Sequence, residues 1–194
     1  MAYLSKKHFS DVSYLEIGVS VGKNFFQILK AHERGRFVGF DIEEINPILK
    51  SMLKEVSKTD WTTRSTSIKK NNSSLTQFSF NSLDVSYLSG DVWDENSWQK
   101  LQGNKFNIIF SDALHTPKAL LFECEMITRY NLLGDRFIIV WDDLVGNMKN
   151  SFYKIISKYD KKYKIRDRYL LDINGWIGEN ESPHKVGIIS NFNL

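Results

Sequence analysis

Two short runs hold much of the chemistry this sequence can do: Ser111-Asp112-Ala113-Leu114-His115 and Trp141-Asp142-Asp143. Each closes an apolar stretch of strand type, 106–111 and 137–141. In an open parallel sheet, ligands collect at the carboxyl ends of the strands, so these side chains are expected to converge. Three carboxylates brought together repel one another, and a hard divalent cation relieves that repulsion. Magnesium prefers oxygen ligands and keeps several waters that a substrate hydroxyl can displace. A cation so placed lowers the pKa of a bound hydroxyl. His115 follows Asp112 by three positions, and an imidazole can accept the hydroxyl proton near neutral pH. The structural alternative is an aspartate capping a helix and an aspartate pair making a turn.

A second constellation is Leu15-Glu16-Ile17-Gly18-Val19-Ser20-Val21-Gly22, between a strand pattern and a helix pattern. Glycines there let the backbone turn sharply, and the helix amino terminus presents free N–H groups. The spacing is Gly-x-x-x-Gly with serine at position 20, which is not the G-x-G-x-x-G of a pyrophosphate cradle. Glu16 puts a carboxylate where a phosphate would lie, which argues for a ligand carrying positive charge. The next strand pattern ends in Asp41, 23 residues after Gly18, a distance at which an acidic side chain reaches ribose hydroxyls.

With these residues in order, the chain resembles the class I S-adenosylmethionine-dependent methyltransferases. Leu15-Glu16-Ile17-Gly18 with Gly22 resembles that family's first motif, Val38-Gly39-Phe40-Asp41 its second, Leu88-Ser89-Gly90-Asp91 its third, and 106–112 with Ser111 and Asp112 its fourth. The resemblance covers about residues 12–145. It implies that Gly18, Ser20, Gly22 and their neighbours wrap the methionine part, with Glu16 supporting the loop or the amino group. It implies that Asp41 takes the ribose hydroxyls and Asp91 the adenine amino group, that Ile42 and Val92 pack on the ring, and that Ser111 borders the cofactor. Asp112, Asp142 and Asp143 match the metal-holding positions of the cation-dependent O-methyltransferases. The Asp-x-x-His form, Asp112 to His115, is similar to enzymes that methylate sugar hydroxyls of macrolides with the histidine as base. Residues before position 12 leave little room for the amino-terminal helices that often roof such sites.

The elements that must position these residues read as alternating β and α segments, which predict an α/β, Rossmann-like, doubly wound and mainly parallel sheet of seven strands. Strands are expected at 13–17, 37–41, 86–90, 106–111 and 137–141, and helices at 24–32, 47–57, 95–101, 117–130 and 149–159. Pro47 and Pro117 suit the first turn of a helix. Beyond 159 the pattern changes, and 163–173 and 185–190, joined through Asn174-Gly175, predict an antiparallel hairpin at one sheet edge. The stretch 58–84 is rich in Ser, Thr, Asn and Lys, and is expected to be a surface insertion, a flap over the site or an extension with its own strands. Trp141 and Trp176 are candidates for an acceptor wall or for core packing. His184 reads as structural or exposed, 158–164 as a solvated helix end, and Cys124 as a small buried residue.

The 194 residues fit one domain. A net charge of +3, from 26 basic and 23 acidic side chains, is too balanced to demand a nucleic acid or an anionic membrane. The single cysteine excludes an intrachain disulfide framework and a thiolate zinc site. No apolar run of roughly 20 residues is present, and the first residues lack the apolar core of a signal peptide, so a cytoplasmic protein is expected. The leading expectation is a methyltransferase that uses S-adenosylmethionine and magnesium on a hydroxyl of a small molecule, a sugar or polyketide-like alcohol. The competing readings are RNA methylation, which would need a clustered basic groove, and a non-catalytic module retaining the cofactor pocket. The oligomeric state stays open, a homodimer included.

Overall fold

The computed structural model describes residues 1–57, 62–70, 73–80, 82–173 and 184–194. In chain order the elements are α1 (Ala2–His8), β1 (Val12–Ile17), α2 (Lys23–Lys30), β2 (Arg34–Asp41), α3 (Pro47–Ser57), β3 (Thr62–Lys70), β4 (Ser73–Phe80) and β5 (Ser82–Ser89). There follow α4 (Glu95–Gln99), β6 (Phe106–Ser111), α5 (Pro117–Arg129), β7 (Leu133–Trp141), α6 (Met148–Tyr163), β8 (Asp167–Ile173) and β9 (His184–Ser190).

One sheet runs in the order β3-β4-β5-β2-β1-β6-β7-β9-β8. Its centre, β5-β2-β1-β6-β7, is parallel, and both flanks are antiparallel. β1 is the switch point: the chain leaves it toward β2 on one side and returns to β6 on the other. Alternate residues of the central strands feed two separate cores. Leu15, Ile17, Val38 and Ile109 pack with Trp98, Leu120, Ile127 and Phe152 on the side of α4, α5 and α6. Tyr14, Phe37, Ile108 and Val140 pack with Phe25, Ile28, Leu49 and Leu53 on the side of α2 and α3. Strands covered on both faces read as nearly continuous apolar runs, and these do.

The α/β fold and the carboxy-terminal hairpin stand as expected, with two differences. The sheet has nine strands rather than seven, because the polar 58–84 stretch contributes β3 and β4, which continue the sheet antiparallel from β5. They extend the sheet at its edge, and from β4 Phe78 still enters the core at 2% exposed. The second difference is α1, a helix at Ala2–His8 that was not anticipated. Ser5 of α1 meets His32 just beyond α2 (Oγ to Nε2, 2.8 Å), at the end of the sheet opposite the strand carboxyl ends, so α1 is no roof for them. Trp61, Trp176 and the Asn174-Gly175 turn lie outside the described residues. Among the described residues, no helix is long and apolar enough to cross a membrane.

Candidate active site

The turn after β1 is built by backbone conformation first. Gly18 has φ +85°, Ser20 φ +51° and Gly22 φ +81°, all in the left-handed region that favours glycine. Gly22 caps the amino end of α2, and a Cβ there would lie 2.7 Å from the Leu49 side chain of α3. The loop is then held by Asp41 at the end of β2. Its Oδ2 accepts the Val19 N–H at 2.7 Å and the Ser20 N–H at 2.8 Å, and its Oδ1 accepts the Glu43 N–H at 3.0 Å. Asp41 therefore organises the glycine loop from across the sheet, a role additional to the ribose contact that the resemblance implies.

Glu16 lies beneath this loop, 1% exposed, with the Tyr14 hydroxyl donating to Oε2. Burial pushes its carboxyl up to about 8, the nearby Asp112 and Asp41 charges adding to the shift while the Tyr14 hydrogen bond opposes it. At the end of β5, Asp91 is exposed and its Oδ1 accepts the Trp93 N–H at 2.9 Å. The cap of α4 is Asp94 instead, which accepts the Asn96 N–H. Of the two expected ring neighbours, Val92 is buried in the core whereas Ile42 is 69% exposed.

At the ends of β6 and β7, Asp112 and Asp143 lie on either side of His115, while among the described residues the three with metal-ligand spacing are Asp142, Asp143 and His184. The Asp112 N–H is held by the Ile17 carbonyl at 2.8 Å and the Asp142 N–H by the Ser111 carbonyl at 3.0 Å, so each loop hangs on its neighbouring strand. His115 Nε2 is 3.1 Å from Asp112 Oδ1, and its Nδ1 is 3.4 Å from Asp143 Oδ2. The hydrogen bond to Asp112 is the main influence raising the His115 pKa above that of an ordinary histidine; desolvation opposes it, and the Asp143, Asp112 and Asp142 charges add to it. Burial, with the Asp112 charge next, raises the Asp142 carboxyl.

The structure adds a residue that the sequence reading had not placed here. His184 sits with Nε2 2.7 Å from Asp142 Oδ1 and Nδ1 2.6 Å from Asp143 Oδ1. Its position follows from strand direction: β9 is antiparallel to β7 with Trp141 opposite Gly187, so the start of β9 projects past the carboxyl end of β7. The Leu144 N–H bonds the Lys185 carbonyl at 2.8 Å and latches the two. Gly187 permits the approach, since a Cβ there would lie 2.4 Å from Leu144 Cδ1. An antiparallel strand beginning where parallel strands end was the signal that could have found His184.

Two further side chains at these strand ends are tied to the interior. The Ser111 hydroxyl donates to Glu123 Oε2 of α5 at 2.5 Å, buried beneath the strand end. Burial pushes the Glu123 carboxyl up to about 7. Trp141 is fully buried and packs edge-on to Phe152 at 5.6 Å, so it belongs to the core. Cys124 is buried as expected.

The donors suit a divalent cation. Asp142, Asp143 and His184 each offer an atom, all within 4.8 Å of one another, and Asp112 reaches the same group through His115. Carboxylate and imidazole are both ordinary ligands for such ions. The glycine turn suits the amino-acid end of a cationic nucleoside, with the buried Glu16 carboxyl below it held by the Tyr14 hydroxyl and the Asp41-bound N–H groups fixing its shape.

No family model matches the chain, and neither does any curated protein. Solved structures do match in fold. The O-methyltransferase of Bacillus cereus in complex with SAH is 13% identical at a TM-score of 0.59, covering 97% of this chain and 77% of that one. The SAH-bound methyltransferase PaMTH1 of Podospora anserina is 15% identical at 0.57, covering 97% and 74%. The N-methyltransferase NodS of Bradyrhizobium japonicum, also with SAH, is 10% identical at 0.57, covering 97% and 82%. The chain thus has the Rossmann-like fold of S-adenosylmethionine-dependent methyltransferases, a fold that these neighbours use for both O- and N-methylation.

Proposed function

We propose that this chain is an S-adenosylmethionine-dependent methyltransferase that methylates a hydroxyl of a small molecule, a sugar or polyketide-like alcohol. In this reading Asp112, Asp142 and Asp143 hold a divalent cation, magnesium on the carboxylates alone, and His115 is the base. The supporting observation is the contact between the two halves of the site. A Cβ on Gly18 would lie 2.5 Å from the Asp112 carbonyl oxygen and 2.6 Å from Ala113 Cα. A ligand seated on the glycine loop therefore has the acidic and imidazole cluster at its edge.

The cofactor supplies a labile sulfonium methyl group, and the cation would lower the pKa of an acceptor hydroxyl. The chain's own residues do the positioning. Asp41 fixes the loop through Val19 and Ser20, and Asp91 and Ile42 flank the place of the nucleoside. Glu16, its carboxyl raised to about 8 by burial, would give up its proton and become charged as the cationic end settles above it. Asp112 and Asp143 face the two ring nitrogens of His115 and favour its charged form; as a base the ring must be neutral, with one of these contacts given over to the acceptor hydroxyl whose proton it takes as the oxygen attacks. Holding donor and acceptor in line accounts for much of the acceleration in reactions of this type.

Titration with S-adenosylmethionine in EDTA, then acceptor screening with and without EDTA, tests the reading. Saturable metal-independent binding of the cofactor and EDTA-sensitive transfer to a hydroxyl are expected. No binding at millimolar cofactor overturns it.

A further inference from the structure

His184 changes the donor chemistry of the cluster. A neutral imidazole carries one N–H and one lone pair. With Nε2 2.7 Å from Asp142 and Nδ1 2.6 Å from Asp143, a neutral ring would point its lone pair at a carboxylate oxygen. Either a second ring proton or a cation at the shared edge removes that conflict. Each contact is of hydrogen-bond length and uses a different ring nitrogen, so one ion can take only one of them; ligand atoms, one each from Asp142, Asp143 and His184, lie within 4.8 Å of one another, close enough to share that ion. The ring is only 16% exposed. It is pinned by the Leu144 to Lys185 bond and the close Gly187 packing, so it is pre-positioned rather than a surface side chain that wandered in.

We propose that His184 is a nitrogen ligand of the cation, joining Asp142 and Asp143, and that this mixed set selects a first-row transition ion of the iron(II) to zinc(II) range over magnesium. The inference rests on the divalent-cation part of the proposed function. Imidazole is a borderline donor that binds such ions far better than it binds magnesium, whose ligands are oxygen and water. One ring nitrogen binds the ion while the other keeps its N–H on the neighbouring carboxylate, an arrangement that orients metal-bound histidines generally. The carboxy-terminal hairpin, through the first residue of β9, thereby becomes part of the metal centre.

Cobalt(II), a spectroscopic stand-in for these ions, is the probe, with magnesium alone as its competitor. On the full chain, calorimetric titration should give cobalt an affinity at least about 100-fold above that of magnesium. The cobalt-bound protein should show a paramagnetically shifted imidazole N–H resonance. His184→Gln should remove that resonance, lower cobalt affinity by about 10- to 100-fold, and leave magnesium affinity within about threefold. His115→Gln should keep the resonance, which separates the two rings and stands in should His184→Gln fail to fold. Equal cobalt and magnesium affinities, or a resonance surviving His184→Gln, overturn the inference and leave the methyltransferase reading intact. Absence of any cation binding overturns the inference and the metal part of that reading together, while cofactor titration in EDTA still decides the rest.

Discussion

Gly18 lies flat against Asp112: a single methyl on its Cα would stand 2.5 Å from the Asp112 carbonyl oxygen. The glycine loop and the acidic loop are therefore one packed unit, and a substitution in the first should be felt in the second. The φ of +85° at Gly18 adds backbone strain to the clash. Gly18→Ala should lower stability by about 3 kcal/mol. It should also abolish cofactor binding and weaken cation binding, read by thermal melts and the two titrations. A variant that loses cofactor but binds cations normally would mean that the loops are independent.

Asp41 carries three backbone N–H groups, those of Val19, Ser20 and Glu43. Asp41→Ala should weaken cofactor binding by about 1 to 3 kcal/mol, through a loosened loop as well as any lost ribose contact. Calorimetry with S-adenosylmethionine, and with a 2′,3′-dideoxy analogue, separates the two contributions. If the analogue loses nothing relative to the natural cofactor in the wild type, Asp41 acts on the loop alone.

His115→Ala should retain cofactor and cation binding and lower turnover by about 10²- to 10⁴-fold, as expected for a positioned base. Asp112→Asn should also lower turnover, since it removes the charge facing Nε2 at 3.1 Å. The check is single-turnover methyl transfer at saturating cofactor. Unchanged turnover in His115→Ala would assign the proton to another group.

The parallel core was legible in the sequence because its strands are covered on both faces and read as apolar runs: 106–111 appears in the structure as Phe106–Ser111, and 137–141 falls within Leu133–Trp141. The acidic cluster was legible for the same reason, since Asp112, Asp142 and Asp143 immediately follow such runs. What sequence patterning could not supply is pairing between distant segments. β3 and β4 join the sheet through antiparallel ladders to partners that local patterning does not name, with Phe78 of β4 reaching the core. The direction of the Ser111 hydroxyl was accessible from alternation, as Ser111 shares its face with Ile109, which packs toward α5. His184 required joining two inferences, the antiparallel hairpin and the ligand end of the sheet.

Glu16 gives a pH dependence of definite sign. Its carboxyl is pushed up to about 8 in the folded chain, and that of Glu123 to about 7, against ordinary values of 4.5. Between pH 4.5 and 8 the folded protein holds protons that the unfolded chain has released, so this contribution falls as pH rises and levels off above about 8. Glu16→Gln with Glu123→Gln keeps oxygen acceptors for Tyr14 and Ser111 and removes the titration. The fall in Tm from pH 5 to pH 9 should be smaller in this variant, by an amount on the order of a few kcal/mol in stability. The same carboxyl links to the ligand. A cationic cofactor above Glu16 favours its charged form and lowers its pKa, so binding at pH 7 should release a fraction of a proton and tighten as pH rises toward 8. Calorimetry in buffers of differing ionisation enthalpy measures that proton directly. Release that persists undiminished in Glu16→Gln would place the cationic end of the cofactor away from Glu16.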